Sequence, residues 1–345
     1  MTEDSNQAGP QPRTQAAETD QAEAQAPQPD VQPSRAKPLL TVDQQIAHMK
    51  AKGIAFDLVS EQEAAAYLAD RTYFFKLYAY RTLFERRVGG KRDGQYANLD
   101  FGHLKLLASL DRTLRYTLLP MTLDVEHFAR TRLVREVTER EGEDGYSVVS
   151  DYLASLNHDD RRRRMGEINS FLKDAYSGDL ARKYGMPDSM PIWVYLELAS
   201  FGSFSSLYLF CANRWDDAAM REEHYQLRQS QLVRNACAHS SDVINGFSRA
   251  EGSIEANTLV LRALADAGIS HRVRTSKMRN PRLQQIATTL YLHSRIVPEG
   301  TSRERARVRV ARLKGEMLQV LETLSGNDAV RSSFGFLMTL FDKWF

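Results

Sequence analysis

The chain has 345 residues, 42% hydrophobic and 26% charged, with a formal net charge of +2. Such a composition fits a globular chain with a sizeable core, as one large domain or two ordinary ones, and excludes fibrous and largely unfolded classes. No run approaches the roughly 20 apolar residues of a bilayer span and the N-terminus lacks a signal-type apolar core, so a cytoplasmic protein with no membrane partner is expected.

Residues 1–36 hold six acids (Glu3, Asp4, Glu18, Asp20, Glu23, Asp30) against Arg13 and Arg35, a charge of −4 that leaves the remainder at +6. They are Gln, Ala, Pro, Glu and Asp with almost no large apolar residues, too few to offset the entropy of ordering, and are predicted to be a disordered acidic tail. The mildly basic body suits a polyanionic partner, although charge of this size is common in proteins that bind none. Helical signals follow at once. Thr41–Gln44 and Ser60–Glu63 match the capping box, and Gly53 is placed to stop the first helix. In "TYFFKLYAYRTLFERR" (72–87), Phe74, Leu77, Tyr78, Arg81 and Phe84 fall at helical spacing. These aromatics could stack on RNA bases, but a core face is several times more common for such a stripe.

Residues 101–141 read as one helical stretch broken at Pro120, with Leu104, Leu107, Leu110, Leu114 and Leu118 before the proline and Val125, Phe128, Leu133 and Val137 after it. Of the accompanying polar groups Asp111, Arg112, Arg115, Glu126, His127, Arg130 and Arg132, most read as solvated or paired, a few as facing an internal cleft. "HDDRRRRMGEI" opens a helix at 158 whose arginines cannot share one face, since successive residues turn by about 100°; a solvated surface is favoured over an RNA groove. "PIWVYLELASFGSFSSLYLFC" (191–211) reads as a central buried helix with a second short turn near Gly202, and Glu197 within it needs a partner or a polar site. Residues 281–293, 302–325 and 329–345 read as separate helices. No period-2 pattern supports a sheet, so the predicted class is all-α.

The segment "QLVRNACAHSSDVINGF" (231–247) gathers Arg234, Asn235 and His239 within two turns. A bare Arg-x4-His spacing is weak, since about one match arises by chance in such a chain, and an Asn after the arginine lowers that to a few per cent. Cys237 is two residues from His239 and would point to a different side of a helix. With Cys211 it forms no disulfide framework or zinc spacing, so both are expected to be buried and inert.

Taken in order, "LLTVDQQIAHMKAKGIAF", "YFFKLYAYRTLF", "LLASLDRTLRYTLLPMTLDVEHFARTRL", "PIWVYLELASFGSFSSLYLF" and "VRNACAHSSDVIN" resemble the Abi-like (abortive infection) proteins of bacteria, in the wider HEPN superfamily, over about residues 39–247. The resemblance implies a HEPN-like helical bundle with additional helices over residues 37–250; residues 251–345, helical in pattern, are expected as a C-terminal extension packed on it. Arg234 and His239 match the family's catalytic arginine and histidine, and Asn235 the polar position beside the arginine. Glu197 falls at the acidic position of Trp-x3-Glu-x2-Ser-Phe-Gly, with Trp193, Phe201 and Gly202, and Asn245 matches an asparagine that closes the motif region. Where many members carry a second histidine and then an arginine, this chain has Ser240, Ser241 and Asp242.

What the resemblance implies is a metal-independent endoribonuclease with no cofactor, acting in phage defence or as a toxin through a composite site in a homodimer. RNA is the implied substrate, and a regulatory noncoding RNA or an antitoxin the implied restraint. The competing expectation is a noncatalytic helical RNA-binding or regulatory module.

Overall fold

Both capping boxes form. A computed structural model, which describes residues 38–247, 255–324 and 326–345, places α1 at Val42–Ala51 and α2 at Glu61–Asp70. The Thr41 hydroxyl accepts from the Gln44 N–H while the Gln44 amide accepts from the Thr41 N–H, and Ser60 and Glu63 repeat the exchange. α1 closes in a Schellman motif: Ile54 N–H donates to the Met49 carbonyl at 3.1 Å and Gly53 N–H to that of Lys50 at 2.9 Å, with Gly53 at φ +79°.

The aromatic segment coils as α3 (Phe74–Tyr78) and a 3-10 turn over Ala79–Leu83. Leu77, Tyr80 and Leu83 are buried and Phe74, Tyr78 and Phe84 pack against the core, whereas Tyr73 and Phe75 stay exposed. Next comes α4 (Phe101–Glu139), which runs 39 residues with Pro120 inside it. The break expected there does not occur. An interior proline costs roughly 3 kcal/mol, but α4 is buried on both sides of it, from Leu104 to Met121 and from Val125 to Val137, and that burial keeps the axis continuous.

Five helices follow: α5 (Ser147–Ser155), α6 (His158–Ser170), α7 (Gly178–Tyr184), α8 (Ile192–Leu198) and α9 (Phe201–Arg214). The arginine run of α6 is a paired surface: Arg162 meets Asp159 at 3.2 Å, Arg163 meets Asp160, Arg161 meets Asp188 at 3.6 Å and Arg164 meets Glu167 at 3.7 Å. The apolar run 191–211 forms two helices, the second starting at Phe201, beside the turn expected near Gly202, and running for 14 residues. Ser200 caps α9, and Glu167 of α6 accepts from the Ser200 N–H (2.6 Å) and the Ser203 hydroxyl.

The chain continues through α10 (Ala218–Ala238), α11 (Thr258–Asp266), α12 (His271–Met278), α13 (Pro281–Ile296), α14 (Thr301–Thr323) and α15 (Asp328–Trp344). Apart from isolated bridges at Ala55–Asp100 and Arg86–Tyr96, no strand occurs among the described residues, and the fold is all-α. None of their helices is long and apolar enough to cross a membrane.

Residues 41–345 form one compact unit; of the separate unit 1–40, only 38–40 are described, without regular secondary structure. The expected tail, 1–36, lies outside the described residues. Two buried clusters are strung along α4. Its first half, to Met121, packs with α1, α2 and α13–α15, and its second half, from Val125, with α5, α8 and α9. The helices after residue 255 thus share a core with α4, and no internal boundary separates them from it. α10 joins both clusters, through Met220 and Leu227 in one and Val233 and Cys237 in the other.

Candidate functional site at the end of α10

Ser230, Val233 and Cys237 turn one side of α10 into the core. This leaves Arg234 and Asn235 half-buried and His239 exposed. Arg234 Nη1 donates to Asn235 Oδ1 at 3.2 Å, which orients the guanidinium. His239 is the C-cap, its N–H donating to the Asn235 carbonyl at 3.0 Å. The helix closes in a second Schellman motif, with Ser241 N–H on the Ala236 carbonyl (2.8 Å) and Ser240 N–H on that of Cys237 (3.1 Å). Here the left-handed position, φ +55°, is filled by Ser240 rather than glycine, at a cost of roughly 1–2 kcal/mol. No hydrogen bond joins Arg234 to His239, and the imidazole has no side-chain partner among the described residues.

The loop after His239 is clamped from three directions. Four successive carbonyls accept from cations: Ser240 from Lys76 Nζ (2.6 Å), Ser241 from Arg115 Nη1 (3.1 Å), Asp242 from Arg282, and Val243 from Arg282 Nη1 (3.0 Å). Beneath them Asp111 is fully buried. Its Oδ1 accepts from the Val243 and Ile244 N–H groups at 2.8 and 2.7 Å, and its Oδ2 pairs with Arg115 one turn away. Burial pushes the Asp111 carboxyl above its ordinary range, opposed by the Ile244 N–H and Arg115. The Tyr80 hydroxyl donates to Asp242 at 3.3 Å, and burial raises the Asp242 carboxyl too. Asn280 Nδ2 donates to the Gly246 carbonyl at 2.7 Å, and a Cβ on Gly246 would fall 2.4 Å from Arg282 Nε, so only glycine admits that side chain.

The expected site residues separate into three groups. Arg234, Asn235 and His239 come together on one helix end. Asn245 joins the clamp instead, its Oδ1 accepting from the Thr82 hydroxyl. Glu197 stands apart: it is exposed on α8 and, among the described residues, forms no ion pair with Arg234 or any other base. α8 is seven residues long and turns Ile192, Val194, Tyr195, Leu196 and Leu198 inward, which leaves Glu197 on its outer side. The α8–α9 corner is held by Arg130, which pairs with Glu126 and donates to the Leu196 and Ala199 carbonyls. Gly202 at that corner faces Gln231, one turn before Arg234.

The pattern could have exposed Asp111 and Arg115, because both sit on the apolar stripe of α4, where an i, i+4 ion pair signals a buried polar anchor. Lys76 and Arg282 carry no such local signal. Both cysteines are buried, which pushes the Cys211 and Cys237 thiols up to about 12 and leaves neither a nucleophile near neutral pH. Among the described residues no group of three His, Cys, Asp or Glu converges closely enough to hold a metal ion.

No curated protein and no solved structure matches the chain. The family model described as Abi-like protein matches residues 66–245, from within α2 to the clamped loop. That span is more than half of the sequence and takes in Arg234, His239, Asp111 and Arg115, and the chain belongs to the Abi-like protein family.

Proposed function

We propose that this Abi-like protein is an endoribonuclease of the HEPN type, cutting RNA without a metal ion in abortive infection against phage or as a toxin. The observation that carries the reading is the presence, on one helix end, of an oriented Arg234 and a solvent-facing His239 whose ring has no side-chain partner among the described residues. RNA brings its own nucleophile, the 2′-hydroxyl. A histidine takes that proton or protonates the leaving oxygen, because its ordinary pKa of about 6.5 suits either role. The arginine fork stays charged and stabilises the negative phosphorane oxygens. One chain offers one such histidine, so separate acid and base are best supplied by two copies around a composite site. Tyr116 and Leu123, seven residues apart on one face of α4, and Leu232 on α10 are exposed apolar side chains on the two helices involved, which supports a homodimer. A nuclease of this kind needs restraint, by a regulatory noncoding RNA or an antitoxin.

The test is end-labelled single-stranded RNA incubated with the purified chain in EDTA. Cleavage by the wild type and its loss in a folded His239→Ala variant are expected; equal cleavage by that variant refutes the proposal. Binding without cleavage favours the second reading, a noncatalytic RNA-binding or regulatory module, to which Ser240 points by standing where the resemblance to the family implies a second histidine.

A further inference from the structure

Residues 267–298 contain no Asp or Glu, in a chain where acids make up about one residue in eight. The same 32 residues hold Arg272, Arg274, Lys277, Arg279, Arg282 and Arg295. Five of the six lie on α12 and at its corner with α13. Unlike the arginines of α6, these cations find neutral acceptors: Arg274 Nη1 donates to the Ile269 carbonyl at 2.9 Å and Lys277 Nζ to the Ser333 hydroxyl at 3.2 Å. Arg272 and Arg279 are exposed, and among the described residues neither has an acidic partner. Arg272 in the first turn of α12 and Arg279 at its C-cap are seven residues apart, about 10 Å along the axis, on the side that also exposes Ser276.

This corner is bonded to the candidate site. Asn280 caps α13 by accepting from the Arg282 and Leu283 N–H groups, and its amide donates to the Gly246 carbonyl. Arg282 grips the carbonyls of Asp242 and Val243. The backbone carrying Arg279 is therefore tied to the loop that begins one residue after His239. From this we infer that α12 and its junction with α13 form a phosphate-contact surface, used through Arg272 and Arg279 by the RNA strand that reaches Arg234 and His239. The inference rests on the ribonuclease reading and assigns a role to a part of the chain outside the matched residues 66–245.

RNA is favoured over an acidic protein because this corner is bonded to the loop that follows His239 and because guanidinium forks match phosphate oxygens. α12 bears no Phe, Tyr or Trp, and its one ring is the exposed His271 at its first position, so the contact made by Arg272 and Arg279 is to the backbone and indifferent to sequence.

The experiment measures the affinity of the full chain for a labelled single-stranded RNA of mixed sequence over a range of salt. Arg272→Ala/Arg279→Ala should bind about tenfold more weakly, and the slope of log affinity against log salt should shrink by roughly 1.4, or 0.7 for each lost phosphate contact. The KM for cleavage should rise while kcat and the melting temperature stay as in the wild type. Arg272→Lys/Arg279→Lys should keep most of the slope, because the charge remains. His239→Ala should lose cleavage and keep the slope. If the wild type binds RNA and the alanine pair binds it with the same affinity and slope, the surface assignment is overturned while the ribonuclease reading stands. The same holds if the alanine pair loses only an acidic protein partner. A wild type that neither binds nor cuts RNA overturns both.

Discussion

Asp111 has no solvent exposure, and its carboxylate does two things at once: it caps the turn at Val243 and Ile244 and neutralises Arg115. Removing one partner of such a pair leaves an uncompensated charge in the interior, at roughly 3–5 kcal/mol. Asp111→Ala should therefore lose stability on that scale in chemical denaturation and lose cleavage with it, as the loop is released. Arg234→Ala and His239→Ala should behave differently, each abolishing the proposed cleavage with stability within about 1 kcal/mol of the wild type, because His239 is exposed and, among the described residues, Arg234 hydrogen-bonds only to its neighbour Asn235. Matching losses of stability in all three would show that the motif pair is structural. Ser240→Gly relieves the left-handed strain and should raise stability by about 0.5–1 kcal/mol; a fall in melting temperature would contradict the strain argument. Arg234, Asn235 and His239 were legible in the sequence because a single helix end assembles them. Lys76 and Arg282 were not, since they reach the loop from 164 and 40 residues away. The exposure of Glu197 is not legible in its apolar run, because even a seven-residue helix in such a run keeps an outer side.

At the level of whole helices, local chemistry and tertiary packing decide different boundaries. Ends written into neighbouring residues, such as the capping boxes at Thr41 and Ser60 and the glycine stop at Gly53, needed nothing from elsewhere in the fold. α4 shows the opposite case. Propensity predicts a break at Pro120, but α10, α13 and α14 pack along the helix and override it. The split between α8 and α9 falls where a second turn is expected, near Gly202; Ser200 caps α9 locally, and Glu167, a residue of another helix, fixes the corner by accepting from Ser200 and Ser203. Continuity of α4 matters to the site, because Asp111 and Arg115 lie on it before the proline and Arg130 after it. If packing holds the axis straight against the proline, Pro120→Ala should restore a hydrogen bond without moving either half, raising stability by roughly 1–2 kcal/mol with cleavage unchanged. A lower melting temperature would mean that the proline serves the packing of α4 instead.

Across the whole molecule, the two buried clusters meet on α4 between Met121 and Val125. Asp124 sits at that junction, 3.5 Å from Nε2 of His293 on α13. His293 is fully buried, and its ring lies 5.4 Å from that of Phe345 at the C-terminus. Burial lowers its pKa to about 4, only partly opposed by Asp124. In the unfolded chain the same imidazole titrates near the ordinary 6.5. Between those two values the unfolded state binds the extra proton and the folded state does not, so this group's stabilisation is present above about pH 6.5 and is lost as pH falls toward 4. The loss is on the order of 3 kcal/mol at most. Because α4, α13 and the C-terminus converge there, the effect should appear as one cooperative transition of both clusters. Stability measured by chemical denaturation from pH 8 to pH 4 should decline through that window in the wild type. His293→Gln should start less stable and decline less, since it carries no titrating ring. Parallel wild-type and variant curves across the window would show that His293 does not govern the acid response of the junction.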